Sequence, residues 1–353
     1  MKSMNAIVLH GQKDLRREIV PTPQVGAADV RIRVTRAGIC GSDLHYYRHG
    51  KCGSFVPSIP FILGHEFTGE VVEAGDQVKG VPVASRVAVD PSQPCRTCAA
   101  CQSGRYNLCA HMKYLGTASV VPPRDGAFAE YITVPAANCH VLPAGFDEGV
   151  AALLEPLSVA AHALLRAGCV SGKSILVTGG GTIGQMIVVM ARAFGAKSVC
   201  LSDPRLYSRE MALKSGADCL IDPTAPNQES VTLAEFDVVF EASGSVQALR
   251  MGLDKAKRGG TIVQVGTLPD EVNLPLNKIM TKELQVLGSF RFANVFGLII
   301  DLVKGGRLQV QHLISRVVPF DQLPEAFSAL ERGEDLIKVQ VEGPNRAADA
   351  YAK

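Results

Sequence analysis

Four cysteines stand together in PCRTCAACQSGRYNLC, spaced Cys95-x2-Cys98-x2-Cys101-x7-Cys109. Four thiols so close can surround one tetrahedral zinc, and a four-thiolate zinc has no open position, so the site would be structural. An iron–sulfur cluster is the competing reading, because CxxCxxC also ligates clusters. No further cysteine set or redox-partner motif accompanies it. Scattered cysteines are usually small buried hydrophobes, a poor fit to a segment this polar and turn-rich.

A second constellation is spread along the chain. Cys40 lies in GICGSDLHYY, His65 and Glu66 in FILGHEFTGEVV, and Glu155 in ALLEPLSVAAHALL. A glutamate in an apolar run is costly unless it is paired or bound to a metal. Cysteine, histidine and glutamate from separate segments supply three ligands and leave the fourth position to water or substrate, the pattern of a catalytic zinc. Singly, each has a blander role: His65 as a strand-end histidine, Glu66 as a surface acid.

The third motif is SILVTGGGTIGQMIVVMARAFGA, an apolar run, a glycine turn and a helical pattern. Gly179, Gly181 and Gly184 fit the dinucleotide fingerprint, whose glycines let the backbone approach a pyrophosphate at a helix N-terminus. SVCLSD ends in Asp203, 24 residues after Gly179, where an acid holds the adenosine ribose hydroxyls. A carboxylate there repels a 2′-phosphate and points to NAD, with NADP the second candidate because Arg205 and Arg209 lie close by. GCVSGKS, residues 168–174, imitates a phosphate loop but is one residue short and precedes a strand.

These motifs need two kinds of scaffold. Residues 1–156 carry short alternating runs such as VRIRVTRAG and FAEYITVP, which predict short strands joined by long functional loops. From residue 157 to 290, apolar runs of strand length (SILVTG, SVCLSD, DVVFEAS, GTIVQVG) alternate with helical patterns over 183–194, 206–215 and 246–257. That alternation predicts a doubly wound α/β fold with a parallel sheet covered on both faces. Residues 291–353 return to helix, turn and strand and are expected to rejoin the first domain. The expected division is therefore 1–156 with 291–353, and 157–290.

The chain has 353 residues, is 47% hydrophobic, and carries 36 Lys and Arg against 34 Asp and Glu, a formal net charge of +2. No basic block gives a nucleic-acid footprint, and no stretch reads as a signal peptide or membrane span. A cytoplasmic protein is expected. Its ten cysteines should then be thiols or metal ligands, not disulfides.

In their order along nearly the whole chain, GICGSDLHYY, LGHEFTGEVV, the four-cysteine loop, EPLSVAAHA, GGGTIGQ and GSFRF resemble the zinc-dependent medium-chain dehydrogenases of the polyol branch. The resemblance implies a Rossmann domain plus a β-rich GroES-like catalytic domain. It also implies two Zn2+ per chain, NAD as cofactor, a small-molecule sugar acid or polyol as substrate, and a homo-oligomer, tetramer or dimer. Cys40 and His65 would bind the catalytic zinc, with Glu66 and Glu155 as exchangeable or water-mediated candidates for the remaining contact. Ser42 matches the relay serine, His45 matches the relay histidine or a cofactor contact, and Glu155 is a further candidate for moving a proton. Tyr46, Arg291 and Phe292 fall at substrate-contacting positions. Thr182, Ile183, Val265, Gly266, Thr267, Phe290 and Arg291 join the cofactor set, and an adenosine-side arginine of sorbitol dehydrogenases falls on Ser208, with Arg209 beside it. Within the branch the motifs are nearest to L-idonate 5-dehydrogenases. Sorbitol or xylitol oxidation is the alternative, and zinc-free NADPH-binding quinone reductase relatives lack both ligand sets. A sugar-acid carboxylate would need a cation: Arg291 first, then Arg48 and Lys51.

Overall fold

The computed structural model describes residues 2–120, 123–225 and 235–344. Residues 121 and 122 lie outside the description. The chain divides into two compact units, residues 1–155 with 314–353, and 156–313.

The N-terminal stretch of the first unit contributes, among the described residues, the strands β1 (Ser3–Gly11), β2 (Asp14–Pro21), β3 (Asp29–Gly38), β4 (Phe61–Ile62), β5 (Glu66–Ala74), β6 (Arg86–Val89), β7 (Ser92–Gln93), β8 (Lys113–Tyr114), β9 (Tyr131–Pro135) and β10 (Cys139–Val141). In β3 the residues Val30, Ile32 and Val34 are buried and alternate with Arg31 and Arg33. That alternation is the signature of an antiparallel strand with one face on the core. Its neighbours β5 and β9 are antiparallel.

The second unit holds β11 (Ser174–Thr178), β12 (Ser198–Ser202), β13 (Cys219–Ile221), β14 (Phe236–Glu241), β15 (Ala256–Gln264) and β16 (Gln285–Gly288). They form one sheet in the order β13-β12-β11-β14-β15-β16, every neighbouring pair parallel. Ile175, Leu176 and Val177 are all fully buried, as a strand with helices on both faces requires. The strand order reverses between β11 and β14, which creates a crevice at their carboxyl ends.

The return to the first unit comes at Ile314, later than the sequence reading placed it. Phe292, Val295, Phe296 and Ile299 are buried, and Ser215 Oγ lies 3.1 Å from His312 Nε2, which ties the end of this stretch to the second unit. The last strands, β17 (Ile314–Val318) and β18 (Lys338–Glu342), are parallel to each other. β18 closes on β3 with Gln340 opposite Gly38.

Two local features depart from the sequence reading. Residues 41–49 form a helix where functional loop was expected. Cys40 is its N-cap, its N–H donating to Asp43 Oδ2 at 2.9 Å. Gly50 ends it in the left-handed conformation. The expectation of free thiols also fails at one place: Cys200 and Cys219, opposite each other in β12 and β13, are joined as a disulfide.

Candidate metal centres and dinucleotide site

The sulfurs of Cys95, Cys98, Cys101 and Cys109 all lie within 4.8 Å of one another. Cys98 Sγ is 3.6 Å from that of Cys101 and 3.8 Å from that of Cys109, and the Cys95 and Cys101 sulfurs are 4.0 Å apart. Zinc–sulfur bonds of about 2.3 Å in a tetrahedron put the sulfurs about 3.8 Å apart, so the observed spacing suits the ion. Backbone N–H groups of Cys98 and His111 donate to Cys95 Sγ and Cys109 Sγ, both at 3.3 Å. Such donors favour thiolates, and hydrogen bonds from Thr97 and Cys98 bring Cys95 down to about 5.

The second group assembles around the end of β3. Cys40 follows that strand, His65 and Glu66 stand where β5 begins, and their ligand atoms lie within 4.8 Å of one another. Glu66 pairs in register with Gly38. A side chain at residue 38 could not be accommodated, because a Cβ there would sit 2.2 Å from Glu66 Oε2. Glu155 falls outside the closely spaced trio: its Oε1 accepts from the Tyr114 hydroxyl at 2.7 Å.

Two further buried charges surround the trio. Asp43 is fully buried, its Oδ1 3.8 Å from His65 Nδ1, and neither atom has a hydrogen-bond partner among the described residues. Lys338 of β18 is 1% exposed and donates to Glu66 Oε2 at 2.5 Å and to the Ile39 carbonyl at 3.0 Å. Burial pushes Asp43 up to about 6 and Glu155 up to about 7, against the opposing pull of His65. Burial would lower His65 and Lys338. For His65, Cys40 and Asp43 outweigh it; for Lys338, Glu66 and Cys40 do. A thiol, an imidazole and a carboxylate converging at one point is a donor set that fits zinc, with Asp43 on the Nδ1 side of the ring.

The polyol candidates are already engaged. Tyr46 is 1% exposed, its hydroxyl 3.1 Å from Thr117 Oγ1 and accepting from Ala118 N–H at 3.2 Å. Arg48 donates to the Leu330 carbonyl at 2.7 Å, and Lys51 is exposed. Ser42 and His45 lie on the helix that Cys40 caps, the His45 ring 5.9 Å from that of His49. In the second unit Arg291 adopts a φ of 53° and lies over the Phe290 ring, 4.6 Å from its centroid. Phe292 is 1% exposed and packs 5.9 Å from Phe296.

The glycine turn sits between β11 and the helix Thr182–Ala193. Gly184 is required by the protein itself, since a Cβ there would lie 1.8 Å from the Gly179 carbonyl oxygen. Gly181 is different: a Cβ there would meet nothing within 4 Å. Thr182 and Ile183 open the helix beyond it. Asp203 stands at the end of β12, its Oδ2 accepting from Gly180 N–H at 2.7 Å and its Oδ1 from Arg205 N–H at 2.8 Å, which ties acid and glycine turn together. Ser208, on the next helix, is fully buried. Arg209 is committed elsewhere, to the carbonyls of Asp203 and Pro204 at 2.7 and 2.8 Å and to Asp222 at 2.9 Å.

Comparison with known proteins agrees with this assembly. Residues 26–144 match the alcohol dehydrogenase GroES-like domain family, and residues 182–305 match the zinc-binding dehydrogenase family. The chain is 37% identical to sorbitol dehydrogenase of Bacillus subtilis over 98% of both chains. It is 36% identical to a probable D-xylulose reductase A of Aspergillus clavatus over 94% of both. The crystal structure of L-idonate 5-dehydrogenase from Escherichia coli superposes with a TM-score of 0.90 at 32% identity, covering 97% of this chain and 98% of that one. The two folds, the two ligand clusters and these likenesses place the chain among the zinc-dependent medium-chain dehydrogenases, oxidoreductases acting on CH–OH donors, in the polyol branch.

Proposed function

We propose that this chain oxidises a secondary hydroxyl of a sugar acid to the ketone, reversibly and with NAD, that L-idonate is its substrate, and that it works with two zinc ions. The observation that carries the metal chemistry is the convergence of Cys40, His65 and Glu66. These three would hold the catalytic ion, and Cys95, Cys98, Cys101 and Cys109 the structural one. Bound zinc supplies Lewis acidity, lowering the pKa of the alcohol. Asp43 orients His65 through Nδ1, Lys338 holds one oxygen of Glu66, and Tyr114 holds Glu155 beside the trio. Ser42 and His45 carry the hydroxyl proton outward. Burial, then His49 and Arg48, pushes His45 below its ordinary value, so at neutral pH the ring is free to accept it. Bound NAD would supply the hydride acceptor, and the glycine turn and Asp203 of the second unit would hold it.

Asp203 supports NAD over NADP, and the engagement of Arg209 with Asp222 leaves it poorly placed to receive a 2′-phosphate. Asp203→Ala should lower kcat/KM with NAD by about 10–100-fold through two lost charge-assisted hydrogen bonds and leave NADP turnover far less affected. Initial rates with both cofactors check this, and a preference of the unmodified enzyme for NADP would refute it.

The choice of L-idonate rests on Arg291, whose planar fork takes a carboxylate in bidentate fashion, which lysine cannot reproduce. Arg291→Lys should raise KM for L-idonate about tenfold, charge-assisted hydrogen bonds being roughly twice as strong as neutral ones, while KM for xylitol stays nearly constant. A neutral polyol is the second reading, favoured by the engagement of Arg48 with Leu330 and of Lys338 with Glu66. Equal losses on the two substrates, or higher kcat/KM on sorbitol than on L-idonate in the unmodified enzyme, would establish that second reading.

A further inference from the structure

Glu241 ends β14, opposite Thr178 of β11 in register, at the point where the strand order reverses. It is fully buried and has no part in the motifs that mark the dinucleotide site. Its backbone and side chain hold two different turns. The carbonyl accepts from the N–H groups of Val265 and Gly266 at 2.8 and 2.9 Å. Carboxylate Oε1 accepts from Ser243 N–H at 2.8 Å, Ser243 Oγ at 2.6 Å and Gly244 N–H at 2.8 Å. Oε2 is buried and meets no donor among the described residues.

The two turns press directly on each other. A Cβ on Gly266 would lie 2.3 Å from Gly244 N and 2.7 Å from Glu241 Oε2. Gly244, at a φ of +69°, could carry none either, since it would lie 2.5 Å from the Thr267 carbonyl oxygen. The backbone of residues 243–244 and 265–267 is thus packed without intervening side chains around one residue, whose carboxylate holds the first turn and whose main-chain carbonyl holds the second. A buried carboxylate is a costly way to close a turn. Three donors converging on one carboxylate oxygen leave the turn little freedom.

The strand order says what that rigidity serves. Asp203 marks the adenosine end, over β12 on one side of β11. The other half of a dinucleotide then lies over the ends of β14 and β15 on the opposite side, which are the ends Glu241 ties together. We propose that Glu241 is a positioning residue for the nicotinamide half of the cofactor: its carboxylate fixes the 243–244 turn, and that turn, packed directly against 265–267, holds both in the shape that receives it. This rests on the NAD reading given above.

The test compares ligands that fill the whole site or only its adenosine end. Glu241→Gln keeps the shape of the side chain and removes its charge; Glu241→Ala removes the anchor, and the glutamine variant carries the test if the alanine variant does not fold. NADH and AMP dissociation constants are measured by fluorescence and calorimetry on the zinc-loaded protein, with thermal midpoint and zinc content as controls. In Glu241→Gln the NADH constant is expected to rise about tenfold, a factor corresponding to one lost charge-assisted contact, while the AMP constant stays within twofold. Equal weakening of NADH and AMP would make Glu241 a general structural support and overturn the proposal, as would an unchanged NADH constant. Failure of the unmodified protein to bind either NADH or NADPH would instead sink the cofactor reading.

Discussion

Serine in place of Cys40 should cost on the order of a thousandfold in kcat, because several kcal/mol of Lewis-acid stabilisation disappear and each 1.36 kcal/mol is a factor of ten. The hydroxyl is a poor substitute for a thiolate as a zinc ligand. Metal analysis should find one zinc ion fewer per chain and the four-cysteine ion still in place. The fold should survive, since Cys40 sits at a helix N-cap whose backbone N–H is satisfied by Asp43 independently of the sulfur. Full activity in the variant, or a single zinc per chain in the unmodified protein, would refute the assignment.

Lys338→Met should be the most destabilising single change in the first unit. Lys338 and Glu66 are each 1% exposed and bonded to each other. Removing one partner of a buried ion pair typically costs about 3–5 kcal/mol, because the remaining charge is left without compensation. Urea unfolding followed by a probe in the first unit should show that loss. The double variant Lys338→Met with Glu66→Gln should recover part of it while losing the metal. A loss under about 1 kcal/mol in the single variant would show that the Glu66 charge finds another partner, against the usual cost of an unpaired buried ion.

The parts of this architecture that could be read from the sequence are those whose signals are local. Ile175–Val177 announce a parallel strand because three consecutive apolar residues need cover on both faces. The four cysteines announce a metal because they lie within fifteen residues of one another. Gly179 to Gly184 are legible because strand, turn and helix are contiguous. Lys338 was missed for the opposite reason. In IKVQVEG it alternates with Val339 and Val341 as a solvent-facing residue would, and its partner Glu66 is 272 residues away. The helix at 41–49 was equally hidden, since SDLHYYRH offers no apolar stripe at helical spacing. Only Asp43, three residues after the N-cap, and Gly50 at the stop could have announced it. The late return at Ile314 turns on the burial of Phe292 and Phe296, which is a tertiary choice. Glu241 looks like the last residue of an apolar strand, and nothing nearby in sequence reveals that the turn 265–267 hangs from its carbonyl.

The joining of β18 to β3 also sets a timetable for the growing chain. Gly38 and Ile39 emerge from the ribosome early, but Gln340 of the strand that covers that edge comes 340 − 38 = 302 residues after Gly38, and Lys338 comes 272 residues after its partner Glu66. At about 5–20 residues per second the wait is roughly a quarter of a minute to a minute. The whole second unit is synthesised in that interval and can fold while the first remains open at one edge. An unfinished sheet beside a buried, uncompensated carboxylate is the stage at which a nascent chain is most exposed to misassociation. Any ion held by Cys40, His65 and Glu66 would meet its final surroundings only after β18 has been made.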